Sequence, residues 1–267
     1  MKEKARHHRG RRKKKTAGKM ISDLLLMIAI GVFLFSGYKL YRIFAEYDRG
    51  DSEYEALQQI VIKQNIPTAT EEDLPVEPEF TVDFKALKAM NRDVVGWIRF
   101  DEPSQINYPL VRCLNNKKYL NTTFEGKKNA AGALFMDYRN TEDFSDKNTF
   151  IYGHNMKNGS MFGMLRKYKN SSFCEENPYF YIYTPDGKES TYQVFAVSIV
   201  NDTSQSYNKS YANDEEFLQY IKYIRSISRY SVDVEVGVES QIVSLSTCTN
   251  VSEEQRMLVH GVKVEEK

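Results

Sequence analysis

The sequence predicts a mainly β domain with helices (α+β), and three observations carry that expectation. Between residues 94 and 264, eight short β-type runs follow one another: V-V-G-W-I-R-F, I-N-Y-P-L-V-R, G-A-L-F-M-D-Y, N-T-F-I-Y-G-H, F-Y-I-Y-T, S-T-Y-Q-V-F-A-V-S-I-V, S-Q-I-V-S-L-S-T-C and R-M-L-V-H-G-V-K-V. Turn residues such as P-D-G at 185–187 separate them, which favours a barrel or a sandwich; a closed or nearly closed β-barrel with peripheral helices is the expectation. Hydrophobic residues at 41% and aromatics at 13% suffice to fill one ordinary core in a chain of 267 residues, with length left for extensions.

The extensions come first. Ten of the 37 Lys and Arg lie between Met1 and Lys19 against a single acid, so the remainder holds 27 basic and 35 acidic residues. Residues 1–19 are therefore a basic tail on a mildly acidic body, which argues against nucleic acid as a partner of the folded part. Leu24 to Tyr38 (L-L-L-M-I-A-I-G-V-F-L-F-S-G-Y) is uncharged and apolar, and residues 20–44 together make about a bilayer's worth of helix. A cleaved signal peptide is the competing reading, but no small-x-small site ends the run, and Phe35 stands where a small residue is needed. The expectation is a single-pass anchor in membrane lipid, with the basic tail cytoplasmic and the rest of the chain extracellular. Residues 45–80 turn polar and acidic, with three prolines from Pro67 to Pro78, and read as a stalk or linker carrying one possible helix at Ser52–Gln64.

The folded body is expected over 81–267. It opens with a short amphipathic helix at 81–93, where Phe84, Leu87 and Met90 share a face. Two helical insertions interrupt the β-runs, one at about 161–169 and a longer one at 213–228. The latter carries acids in its first turn and a stripe of Phe217, Leu218, Ile221 and Ile224.

Three cysteines cannot all pair within one chain, and their spacing fits neither a disulfide framework nor a zinc site. Cys113 sits inside a β-run, where packing is its default role, and Cys174 is followed by two acids that disfavour thiolate. Cys248 instead ends a β-run among Ser246, Thr247 and Thr249, at what reads as a rim; on the residues alone it is either a packed thiol or a nucleophile. His154 also ends a β-run, in G-H-N, at the kind of position where scaffolds hold working groups. His260 lies mid-run on the alternating face of Leu258 and Val262 and reads as structural. Arg256 follows Cys248 by eight residues and is either one half of a surface ion pair with Glu253 or Glu254, or a cation returned beside the thiol.

At this point S-L-S-T-C-T followed by Q-R-M-L-V-H-G resembles the Cys and Arg motifs of the sortases, membrane-anchored cysteine transpeptidases of Gram-positive bacteria. N-T-F-I-Y-G-H-N-M-K-N-G-S-M-F-G-M-L (148–165) resembles the His motif of class B sortases. So do V-V-G-W-I (94–98), K-K-Y-L-N (117–121), L-F-M-D-Y-R-N (134–140) and the long late helix. The likeness covers about residues 81–267. One departure is Ser244, where Thr is common in the wider family; it is not expected to touch the thiol.

The resemblance implies an eight-stranded barrel with an N-terminal helix and a long helix inserted between late strands. It implies Cys248 as nucleophile, His154 as acid/base and Arg256 as stabiliser of thiolate or oxyanion. Backbone N–H groups near the thiol, such as that of Thr249, would help, and Ser246, Thr247 and Thr249 would shape the substrate site. No cofactor and no metal are expected. Partners would be secreted surface proteins bearing a C-terminal sorting signal and an amine acceptor on a peptidoglycan precursor. A pilin lysine as acceptor, a secreted cysteine peptidase using water, and a non-enzymatic adhesion module on the same scaffold are the alternatives.

Overall fold

The structure, a computed structural model, describes residues 17–65, 79–249, 251–252 and 254–267. The first 16 residues of the basic tail and the proline-rich stretch at 66–78 lie outside the described residues. The chain divides into two compact units, one ending at Ala45 and one spanning Glu46–Lys267.

Helix α1 covers Ala17–Val61. Among the described residues it is the helix long and apolar enough to cross a membrane, and its apolar window is exposed throughout. Where the sequence reads as a polar stalk, residues 46–61 belong to the folded unit. Tyr54, Leu57 and Val61 recur at spacings of three and four, and all three are buried in the main core. The Tyr54 hydroxyl donates to the Gly132 carbonyl at 2.7 Å and accepts from the Phe124 amide at 3.2 Å. Charged and polar residues make up most of the rest of this stretch, so a stripe this narrow looks like a linker in the sequence. After α1, strands β1 (Ile62–Asn65) and β2 (Glu79–Val82) pair antiparallel. Asp83 then caps α2 (Phe84–Met90) by accepting from the Ala86 amide.

The eight β-runs become β3 (Val94–Arg99), β4 (Asn107–Val111), β5 (Leu134–Met136), β6 (Asn148–Tyr152), β7 (Tyr179–Tyr183), β8 (Glu189–Asn201), β9 (Ile242–Cys248) and β10 (Gln255–Glu266). They close into a barrel in the order β10-β8-β7-β3-β4-β5-β6-β9. Two neighbouring pairs are parallel, β4 with β5 and β6 with β9. Parallel neighbours need a long crossover, and the β6–β9 crossover holds most of the irregular structure. It contains a 3-10 turn at Gly163–Lys169, the short helix α3 (Ser171–Glu176) and helix α4 (Asp214–Ser226).

Alternation along the strands sorts two cores. Val243, Leu245, Met257 and Val259 join Trp97, Ile98 and Leu110 in the main cluster, whereas Ile242, Val262 and Ala196 face α4. Asn213 caps α4 and three acids occupy its first turn. Phe217, Tyr220, Ile221 and Ile224 are buried, each apolar one contributing about 1.5–3 kcal/mol on leaving water. Tyr220 joins the expected stripe, its ring packing while its hydroxyl finds partners, and Leu218 packs against the cluster half-buried.

Candidate active site

Strands β6 and β9 run side by side in a constant register, from Asn148 opposite Ile242 to Tyr152 opposite Ser246. Beyond the assigned ladder the pairing carries on. The Gly153 amide donates to the Ser246 carbonyl, the Thr247 hydroxyl donates to the Gly153 carbonyl at 2.7 Å, and the Asn155 side-chain Nδ2 donates to the Cys248 carbonyl at 2.8 Å. That register brings His154 alongside Cys248. On the other side of β9, Cys248 is the direct partner of Arg256 on β10. Three residues separated by as much as 102 positions therefore lie on three adjacent strands at one end of the barrel, and all three line one cleft of about 360 Å³.

Local packing sets each of them. Gly153 leaves no room for a side chain: a Cβ there would meet Leu134 Cδ2 at 2.3 Å and Phe162 Cδ2 at 2.7 Å. The strand end carrying His154 is thus pressed against the core. His154 Nε2 lies 2.7 Å from the Leu120 carbonyl, which only accepts, so Nε2 bears the proton and Nδ1 is the other site. Leu120 ends a 3-10 turn at Lys118–Leu120, and Gly132, at φ 59°, lets the chain pass against it. A Cβ at Gly132 would meet the Tyr119 carbonyl oxygen at 2.3 Å. Arg256 is half-buried and reaches Asp202 at 3.4 Å and the Gln255 carbonyl at 3.0 Å. Asp202 is thus an acidic partner of Arg256 beyond those expected at 253 and 254, of which Glu253 lies outside the described residues.

Of the three hydroxyl residues expected around the thiol, Ser246 and Thr247 line the cleft and Thr249 does not. All three are buried rather than exposed at a rim, because β6 covers this edge of β9. Ser246 Oγ is 2.8 Å from the Tyr207 hydroxyl, and Thr247 is spent on Gly153. The Thr249 amide donates to the Gln255 carbonyl at 3.3 Å, so this N–H, expected as an oxyanion donor, already has an acceptor.

The far wall of the cleft holds groups that sequence reading did not single out. Asp137 is fully buried. Its carboxylate accepts from Arg139 Nε and its terminal nitrogen, both at 2.9 Å, from the Arg139 amide at 3.0 Å, from the Tyr152 hydroxyl at 2.9 Å and from Asn116 at 3.1 Å. Lys209 Nζ lies 3.3 Å away and 4.4 Å from the centre of the Phe150 ring. Burial works to raise the Asp137 carboxyl, but the hydrogen bonds from Arg139, the Lys209 charge and the Tyr152 hydroxyl together outweigh it and hold the group well below the usual carboxylate range. Burial pulls the Lys209 ammonium down, and it pushes the Tyr207 hydroxyl up to about 12. Arg139, Lys209 and Arg256 leave the cleft basic, with Asp202 as the acid on its lining. A polar loop, Q-S-Y-N-K at 205–209, was the available signal for Tyr207 and Lys209, but nothing in it marks a turn that folds back over a strand face. Among the described residues no three His, Cys, Asp or Glu are placed to hold a metal ion.

The remaining thiols and histidine sit elsewhere. Cys174 is buried, and burial raises its pKa. Cys113 donates to the Asn115 carbonyl. His260 is fully buried beneath α4 and touches Ser244.

Comparison with known proteins follows this geometry. The Sortase domain family matches residues 102–264. Sortase B of Listeria monocytogenes serovar 1/2a is 32% identical over 89% of this chain and 94% of its own length. Sortase B of Staphylococcus aureus is also 32% identical, over 91% of this chain and 95% of its own. The crystal structure of sortase B from B. anthracis is similar at a TM-score of 0.71 and 33% identity, covering 84% of this chain and all of that one.

Proposed function

The chain belongs to the sortase family, the cysteine transpeptidases, with sortase B proteins as its relatives, and on that premise we propose that Cys248, His154 and Arg256 are its catalytic residues. The observation that carries this reading is the continued β6–β9 register, which sets His154 beside Cys248 with Arg256 across from it.

The Cys248 thiolate attacks the carbonyl of a Thr in an extended C-terminal sorting signal. Arg256 supports the oxyanion, a role made larger because the Thr249 amide is already bonded. His154 passes a proton to the departing amine, and with Nε2 held by Leu120 the proton moves through Nδ1. The C–N bond breaks and a thioester remains on Cys248. An amine from a peptidoglycan precursor then attacks the thioester, gives its proton to His154 and restores the thiolate. The bond energy is conserved in the thioester, so no nucleotide is required. Ser246 and Thr247 shape the floor of the cleft beneath the peptide. The apolar helix up to residue 44 anchors the enzyme in the cell membrane, with its N-terminus cytoplasmic and the barrel outside, facing exported surface proteins.

The test is a library of Thr-containing peptides offered with and without triglycine, with mass spectrometry of the intact protein. The expected result is an acyl adduct on Cys248, absent from Cys248→Ala, and an amide product only when triglycine is present. Hydrolysis at an equal rate with no amide product would make the protein a peptidase. A pilin lysine that outcompetes triglycine would move the acceptor from wall to pilus.

A further inference from the structure

Beneath α4, five polar groups form one continuous hydrogen-bonded chain outside the catalytic set. His260 Nδ1 lies 2.7 Å from Ser244 Oγ, and Ser244 Oγ donates to Asn148 Oδ1 at 2.7 Å. Asn148 Nδ2 donates to the Tyr220 hydroxyl at 2.8 Å, and Tyr220 donates to the Ser206 carbonyl at 2.9 Å. Counting donors sets the direction of each bond along the chain. The Ser206 carbonyl only accepts, so it takes Tyr220's one O–H, and Tyr220 must accept from Asn148. Asn148 Oδ1 then takes the single O–H of Ser244, which leaves Ser244 to accept from His260. Burial keeps His260 neutral, lowering its pKa to about 3, which agrees with one ring proton on Nδ1.

The placement of the chain is what gives it meaning. His260, Ser244 and Asn148 belong to β10, β9 and β6, the three strands that lead to Arg256, Cys248 and His154. They share the outward face with those residues, four positions from Arg256 and from Cys248. At its other end the chain grips Ser206, next to Tyr207, whose hydroxyl meets Ser246 in the cleft. The same loop is held twice more: Ser204 Oγ is 3.1 Å from the α4 hydroxyl of Tyr223, and Asn148 Nδ2 also donates to the Asn208 carbonyl at 3.4 Å.

We propose that His260, Ser244, Asn148 and Tyr220 are positioning residues that lock loop 202–211, the roof of the cleft, onto the strands bearing Cys248, His154 and Arg256. Helix α4 is then a brace for the substrate cleft as well as a cover for the barrel. A peptide entering between Tyr207 and the strand face meets a roof already at its working height, so the ordering cost is met on folding and not on binding. The kinetic half of this inference rests on the sortase reading; the structural half does not.

Three variants of the full chain test it: Tyr220→Phe, which removes one oxygen, and the isosteric pair Ser244→Val and Ser244→Thr, of which only Thr keeps a hydroxyl. Hydrogen exchange is followed at residues 204–208, and KM and kcat are measured with a fluorogenic Thr–Asn peptide and triglycine. Tyr220→Phe and Ser244→Val are expected to speed exchange in the roof and raise KM by about three- to tenfold, the worth of one net hydrogen bond, with kcat within about twofold. Ser244→Thr should match the wild type on both readouts. Equal behaviour of the Val and Thr variants, or a fall in kcat with KM unmoved, would reduce the chain to packing and overturn the proposal. A wild-type protein that turns over no peptide would sink the sortase reading, while the exchange data would still decide the roof.

Discussion

Replacing Asp137 by Ala should be among the most destabilising single changes in the barrel, and its size can be worked out from the carboxylate's surroundings. Asp137 is fully buried and accepts from Arg139, Tyr152 and Asn116, while the Lys209 side chain, only 10% exposed, depends on it as counter-ion. Without Asp137 the Lys209 ammonium is left against the Phe150 and Tyr207 rings and the Tyr207 carbonyl. Removing one partner of such a buried pair costs about 3–5 kcal/mol, because the remaining charge has lost its compensation. For a domain of this size that is a fall in Tm of about 6–20 °C. The pH dependence carries a second signature. The folded carboxyl titrates below its unfolded value near 3.8, so it contributes stability that is complete above that pH and lost as pH falls below it. Asp137→Ala should therefore lose most at neutral pH and show a shallower decline below about pH 4. Thermal and urea unfolding from pH 3 to 8 measure both. Adding Lys209→Met should recover more than half of the loss, since the stranded charge is then gone. A Tm shift under about 2 °C, or a double variant no better than the single, would refute this account of the far wall.

Three other outcomes are expected. Gly153→Ala forces a Cβ into Leu134 and Phe162; it should cost about 1–3 kcal/mol and lower kcat by at least about tenfold, read from urea unfolding and peptide turnover. Arg256→Ala should lower kcat/KM by about 10²–10³, and Arg256→Lys should restore little of it, because a point charge does not replace a planar fork; melting curves should scarcely move. His260 titrates in the fold near 3 against an ordinary 6.5, so its contribution is complete above about pH 6.5 and is lost as pH falls towards 3. By pH 5 the loss is about 2 kcal/mol, and His260→Leu should flatten the stability profile between pH 6.5 and 4.

All eight strands and α4 were legible, because alternation and turn residues are local signals that the barrel obeys. Cys248, His154 and Arg256 were legible as strand-end residues, their conjunction came from family-like motifs, and the fold sets all three on one cleft. The register that joins them could not be read. The β6–β9 pairing is parallel and spans a crossover with α3, α4 and two strands, so its offset depends on global closure. The stretch at 46–61 was read as stalk because its buried stripe is one residue wide per turn. Thr249 was placed beside the substrate on proximity to Cys248, and the fold turns it towards Gln255 instead. Lys209 was invisible for a plainer reason: a lysine in a polar loop reads as solvated until a buried aspartate is found beneath it.

The alternation of β9 has a consequence for how such an enzyme changes over time. Val243 and Leu245 face inward and keep the barrel standing, while Ser246 and the proposed nucleophile Cys248 face outward and line the cleft. Stability and reactivity are thus written on opposite sides of one strand, in alternate letters. Outward letters can be exchanged, and new peptides tried, without repacking the interior. Ser244 is tied to two buried partners and Ser246 to the Tyr207 hydroxyl alone, so drift in substrate choice should pass through Ser246 and the roof before it reaches Ser244.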